Sequence, residues 1–162
     1  MAELTNLETK IAEVIGLAQA AQGATEKVEG LVEDDQLKQT LQRMREEAVE
    51  TEDRTISVAE GLDGKKTAIL EKARETKQEA TEMMKTYLGE DADGLDGFEF
   101  LTMAEAGEVG HWEVLGTMNE RAGNSQLQQV IQWAMPIQQR HFQEAREGSV
   151  QIAAEEDPNQ PA

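Results

Sequence analysis

From Leu127 to Ile152 one stripe of side chains returns every three or four residues: Leu127, Ile131, Ala134, Gln138, His141, Ala145, Gly148 and Ile152. That period puts all of them on one face of a long helix, and a seam of this kind is stable only when it is buried against other helices. Most of the chain follows the same pattern. Thr5 and Glu8 have capping-box spacing, and Leu7, Ile11, Val14, Ile15, Ala18, Val28 and Val32 then predict a helix to about residue 32. Beyond Glu33-Asp34-Asp35 comes a second stripe of Leu37, Leu41, Met44, Ala48, Thr51, Thr55, Val58 and Leu62, which predicts an antiparallel partner. A turn at LDGKK, residues 62–66, leads into a more charged third helix over about 65–88, with Ile69, Leu70, Ala73, Ala80, Met83, Met84 and Leu88 as its apolar positions.

The stretch GEDADGLDG, residues 89–97, reads as a connecting loop because glycine punctuates it. It is not a calcium loop: counting from Asp91, the fifth position is Leu95 and the sixth Asp96, where an EF-hand needs an oxygen ligand and a glycine. Asp96 with Glu99 reads instead as the cap of a fourth helix, over about 98–122 and ended by Gly123. Ser125 with Gln128 similarly reads as the cap of the last helix, over about 126–153.

The expected fold class is therefore all-α, and composition agrees. Aromatic residues make up 4% of the chain, and good helix formers dominate. The 162 residues suit one helical domain over 1–153, followed by a flexible acidic tail over 154–162. With 33 acidic against 15 basic residues the net charge is −18, which opposes binding to nucleic acid or to an anionic membrane. No cysteine is present, and the polar start MAELTNLETK does not resemble a signal peptide, so a cytoplasmic location is expected. Acidic runs such as REEAVETED are read as solvated faces; they or the tail after Ala153 offer a protein partner a docking surface.

Polar residues interrupt two of the stripes. In the fourth helix the seam is read as Leu101, Ala104, Glu108, His111, Leu115, Met118 and Ala122, which makes Glu108 and His111 its inward polar pair. Gln138 and His141 are the equivalent pair in the last helix. Spacing three puts both members of a pair on one helical face, as in helical bundles that hold metal ions between facing helices. Glu47 flanks the second stripe, and Gln22 is a further candidate on the first. The candidate metal ligands are thus Glu47, Glu108, His111, Gln138 and His141. A buried Glu–His pair needs no metal, however, and two inward carboxylates fall short of the roughly four that compensate two adjacent divalent ions. Trp112 and Trp133 read as packing or interface anchors. Pro136 should free the carbonyl of Gln132 and bend the last helix just before His141.

Three stretches, in this order and spacing, resemble the YciE/YciF-type ferritin-like family of bacterial stress-associated proteins. They are DDQLKQTLQRMREEAVETEDRTISVAEGL, DGKKTAILEKA and VGHWEVLGTMNERAG, and the resemblance spans roughly residues 8–150. It implies a four-helix ferritin-like bundle with an additional helix between its two hairpins, often dimeric, built around a di-metal centre. Most of the family's ligand positions are changed here. A glutamate of its first helix falls at Ala18 or Gln19. A His-Glu-His/Gln set falls at Met44, Glu47 and Thr51, and a Glu-His-aromatic-Glu run at Gly110, His111, Trp112 and Glu113. The acidic run of the family's last helix falls near Gln138, Gln139, Arg140 and His141.

The function expected from these residues is that of a stress-associated, non-enzymatic bundle, homodimeric, with an interior Glu/His/Gln network in place of a full di-metal site. The alternative is a protein that binds iron or manganese through the five candidate ligands and has oxidase or peroxide-consuming activity.

Overall fold

A computed structural model describes residues 2–161. Among the described residues the chain is all-α, with five helices: α1 Asn6–Glu29, α2 Asp35–Glu60, α3 Lys66–Tyr87, α4 Gly94–Ala122 and α5 Ser125–Ala153. No helix among them is long and apolar enough to cross a membrane.

The caps explain the boundaries. The Thr5 hydroxyl accepts from the Glu8 amide at 3.2 Å, and the Glu8 carboxylate accepts from the Thr5 amide at 2.8 Å, so the expected box starts α1. Asp34 caps α2 by accepting from the Leu37 amide at 2.8 Å. Each such cap satisfies an amide that the helix leaves orphaned, at about 1 kcal/mol.

Two starts lie earlier in the chain than expected. Asp93, rather than Asp96, caps α4, and Asp96 is the returning member of the box, with both bonds at 3.0 Å. Gly94 and Gly97 therefore belong to the first turn of α4. They are small because α1 and the turn after it lie against them: a Cβ on Gly97 would be 2.9 Å from Val28 Cγ1, and one on Gly94 2.9 Å from Val32 Cγ1. Close helix approach, which sequence pattern does not distinguish from a loop, accounts for these glycines. Asn124, rather than Ser125, caps α5. The Gln128 amide oxygen that would have completed the expected box accepts instead from Asn119, 2% exposed, whose side chain also bonds both the amide and the carbonyl of Asn124.

In space, α1 packs on α2, α3 and α4, while α5 packs on α4 and α2; α3 touches α2 and α4 only slightly. Two apolar clusters form. One gathers Ile11, Ile15, Val58, Ile69, Trp112 and Leu127; the other gathers Val28, Leu41, Met44, Phe98, Leu101 and Ala145. Along α2, α4 and α5, the stretch between the two clusters carries the buried polar residues Thr51, Thr55, Glu105, Glu108, Gln138 and His141. The interior is thus apolar, polar and apolar in sequence along the helix axes. Pro136 is on an exposed position of α5, which continues through it, and Gln132 is exposed too, so water can reach the carbonyl that proline leaves without a donor.

The contact of α1 with α3 depends on Gly16, where a Cβ would lie 2.4 Å from the Ala73 carbonyl oxygen. Backbone cannot yield as a flexible side chain can. Gly16→Ala should therefore lower stability by about 1–3 kcal/mol despite alanine's better helix propensity. Gly23→Ala, where nothing lies within 4 Å, should raise it by about 0.5–1 kcal/mol. Urea unfolding of the two variants checks the pair, and stabilisation by both would contradict the packing.

Candidate functional site

The polar belt brings together α2, α4 and α5. From α5, His141 (3% exposed) directs Nε2 at Glu47 Oε1 of α2, 3.3 Å away, and Nδ1 toward Glu105 Oε2 of α4 at 3.8 Å. One turn earlier on α5, Gln138 donates its amide to Glu105. Arg140 donates to both oxygens of Glu47, and Arg43 approaches the same carboxylate at 3.6 Å while also pairing with Glu144. The other oxygen of Glu144 is buried without a partner. Glu108, one turn beyond Glu105, is 7% exposed and makes no hydrogen bond or ion pair among the described residues.

Charge follows from these surroundings. Burial pushes the Glu105 carboxyl up to about 8, against the opposing hydrogen bond from Gln138. Burial, and then the neighbouring Glu105, raises Glu108 well above the ordinary carboxylate range. Near neutrality α4 thus carries two adjacent carboxylic acids rather than two carboxylates. Glu47 is the opposite case: burial works to raise its pKa, but Arg140 and His141 outweigh burial and hold the carboxyl below its usual range. Burial lowers the His141 pKa more than Glu47 restores it, so the imidazole is neutral at pH 7.

Of the residues singled out from sequence, Glu47, Gln138 and His141 meet in this belt, and Glu108 borders it. His111 does not point inward. Its side chain is 40% exposed, and Nδ1 lies 3.3 Å from Glu13 of α1, which is itself paired with Lys10 at 2.7 Å. Gln22 donates to Glu52, as does Gln19, in a separate link between α1 and α2.

The residue missing from the sequence reading is Glu105. The buried face of α4 is Phe98, Leu101, Glu105, Glu108, Trp112, Leu115 and Asn119. It shares Leu101, Glu108 and Leu115 with the expected seam but replaces Ala104, His111, Met118 and Ala122. Both stripes satisfy the helical period. Burying Phe98 and Trp112 removes far more apolar surface from water than burying Ala104 and His111 would, and that difference sets the rotation of the helix. The placement of those two aromatic residues was the available signal. Trp133, on α5, is half-buried beneath the Arg54 guanidinium at 4.2 Å.

No family model, curated protein or solved structure matches the chain.

Two divalent ions do not fit this set of donors. Arg140 engages both oxygens of Glu47, Gln138 turns its NH2 rather than its oxygen to Glu105, and no three His, Asp or Glu side chains among the described residues converge on a point that could hold a metal.

Linkage gives the pH dependence its sign. Glu105 and Glu108 have raised pKa values, so their share of stability is whole below the unfolded carboxylate value of 4.5 and is lost as the pH rises, toward about 8 in the case of Glu105, at up to about 1.4 kcal/mol per pH unit for each group. His141 has a lowered pKa and acts oppositely, costing stability as the pH falls below 6.5. Glu47, also lowered, costs stability below 4.5. The urea midpoint should therefore be higher near pH 5.5 than near pH 8, and Glu108→Gln should flatten the decline. A midpoint that climbs over this interval would contradict the assignment of uncharged acids.

Proposed function

We propose that this chain is a non-enzymatic ferritin-like bundle in which a Glu/His/Gln network, closed by an arginine, takes the place of a di-metal centre. In this reading α1, α2, α4 and α5 form the four-helix bundle, and α3 is the additional helix laid outside α1. The ring of contacts from α1 to α2, α2 to α5, α5 to α4 and α4 back to α1 supports that arrangement. The observation that carries the functional reading is the two-pronged Arg140–Glu47 clamp. A guanidinium that is always protonated and matches a carboxylate in shape supplies the positive charge a metal would supply, and it does so without an open coordination position. A stress-associated role and a homodimeric state belong to the same proposal and rest on the family resemblance alone.

The test is elemental analysis of the full chain purified from cells grown with added iron and manganese, after extensive dialysis. Metal content far below one ion per chain is expected, and it should stay there in His141→Ala. Two ions retained per chain, lost in His141→Ala, would replace this reading with that of a metal-binding oxidase or peroxide-consuming protein.

A further inference from the structure

A cavity of about 200 Å³ opens between α1, α3 and α4. Small side chains make the room: Ala20, Ala21 and Ala24 of α1, Ala80 of α3 and Gly107 of α4. Met83 and Met103, 54% and 39% exposed, stand at the mouth, and Glu105 and Glu108 close the inner wall. The lining contains no lysine or arginine, and its ionisable groups are Glu105, Glu108 and His111. Glu105 is held by Gln138, and His111 faces Glu13. Glu108 alone, buried to nine-tenths and facing the cavity, has no partner among the described residues.

We propose that this cavity is a binding site for a small organic amine, with its apolar body between the alanines of α1 and α3 and its ammonium group on Glu108. The inference goes beyond the proposed function and does not depend on it, because it rests on the cavity and the unpartnered carboxyl rather than on the belt between α2 and α5. Size sets the class of ligand. An apolar cavity of about 150 Å³ accommodates benzene, so this one takes a ring with a short arm. Charge sets the head group. An anion would meet Glu105 and Glu108 with no cation in the lining, and a purely apolar molecule would bury Glu108 without the partner that a buried polar group requires. An ammonium donates up to three hydrogen bonds, which the oxygens of Glu108 accept, and a positive charge beside Glu108 favours its carboxylate form. The exposed methionines at the mouth suit an aromatic body, since thioethers pack well against ring edges.

The probe is 2-phenylethylamine, titrated calorimetrically into the full chain, with 2-phenylethanol as its neutral counterpart of the same shape. One amine per chain is expected, bound roughly tenfold or more tightly than the alcohol. Glu108→Gln should remove that preference, and Ala80→Leu, which fills the cavity from α3 without touching a carboxyl, should abolish binding of both. Urea midpoints establish that each variant is folded. Equal affinity for amine and alcohol, an undiminished preference in Glu108→Gln, or no binding of the amine at millimolar concentration would overturn the proposal. Metal analysis is unaffected by any of these outcomes, so the proposed function and this site fail separately.

Discussion

Glu105 and Glu108 lie one turn apart on α4 and are only 1% and 7% exposed, so water solvates them poorly. Keeping even one buried, unpaired carboxylate costs several kcal/mol, and keeping two side by side costs more. The fold meets this by holding both as acids and by placing the ionised carboxylate that faces His141 at Glu47, where Arg140 can reach it. Gln138 and His141 are the neutral groups between the two regimes. They link α4 to α5 and α5 to α2 without adding a charge of their own. The two apolar clusters flank this belt on either side along the helices, and their burial is what makes a polar layer affordable at all.

The same belt governs what the interior can hold. A metal centre in a helical bundle needs carboxylates that are ionised and free to coordinate. Here the ionised one is clamped by a guanidinium, and the unclamped ones keep their protons. Glu108, at the edge of the belt, lines the gap left by the alanines of α1 and α3. Partner-directed polarity on one side and an open pocket on the other therefore arise from neighbouring turns of a single helix.

Much of this was legible in the sequence. The α5 stripe is legible through Ala145 and Gly148 because the other faces of the helix carry Gln126, Gln129, Gln132, Gln139 and Arg146, all exposed. All five helices and the Thr5–Glu8 box were likewise legible from spacing alone. On α4 two stripes satisfy the helical period, one with His111 inward and one with Glu105 inward, and the bulk of Phe98 and Trp112 decides the rotation. The early start of α4 was hidden for a related reason: Gly94 and Gly97 look like loop residues until the helix they touch is known. Arg140 and Arg43 were invisible as network members because they lie on flanking positions, and only the packing of α5 against α2 brings them to Glu47.

The protonation of the two α4 acids is the claim on which the belt and its pH behaviour depend, and carbon-13 NMR of the glutamate side chains reads it directly. With Glu108→Gln and Glu105→Gln used for assignment, two carboxyl resonances should keep the chemical shift of protonated acids at pH 7, and the first of them should titrate only near pH 8. Two resonances already at carboxylate positions at pH 6 would contradict the account.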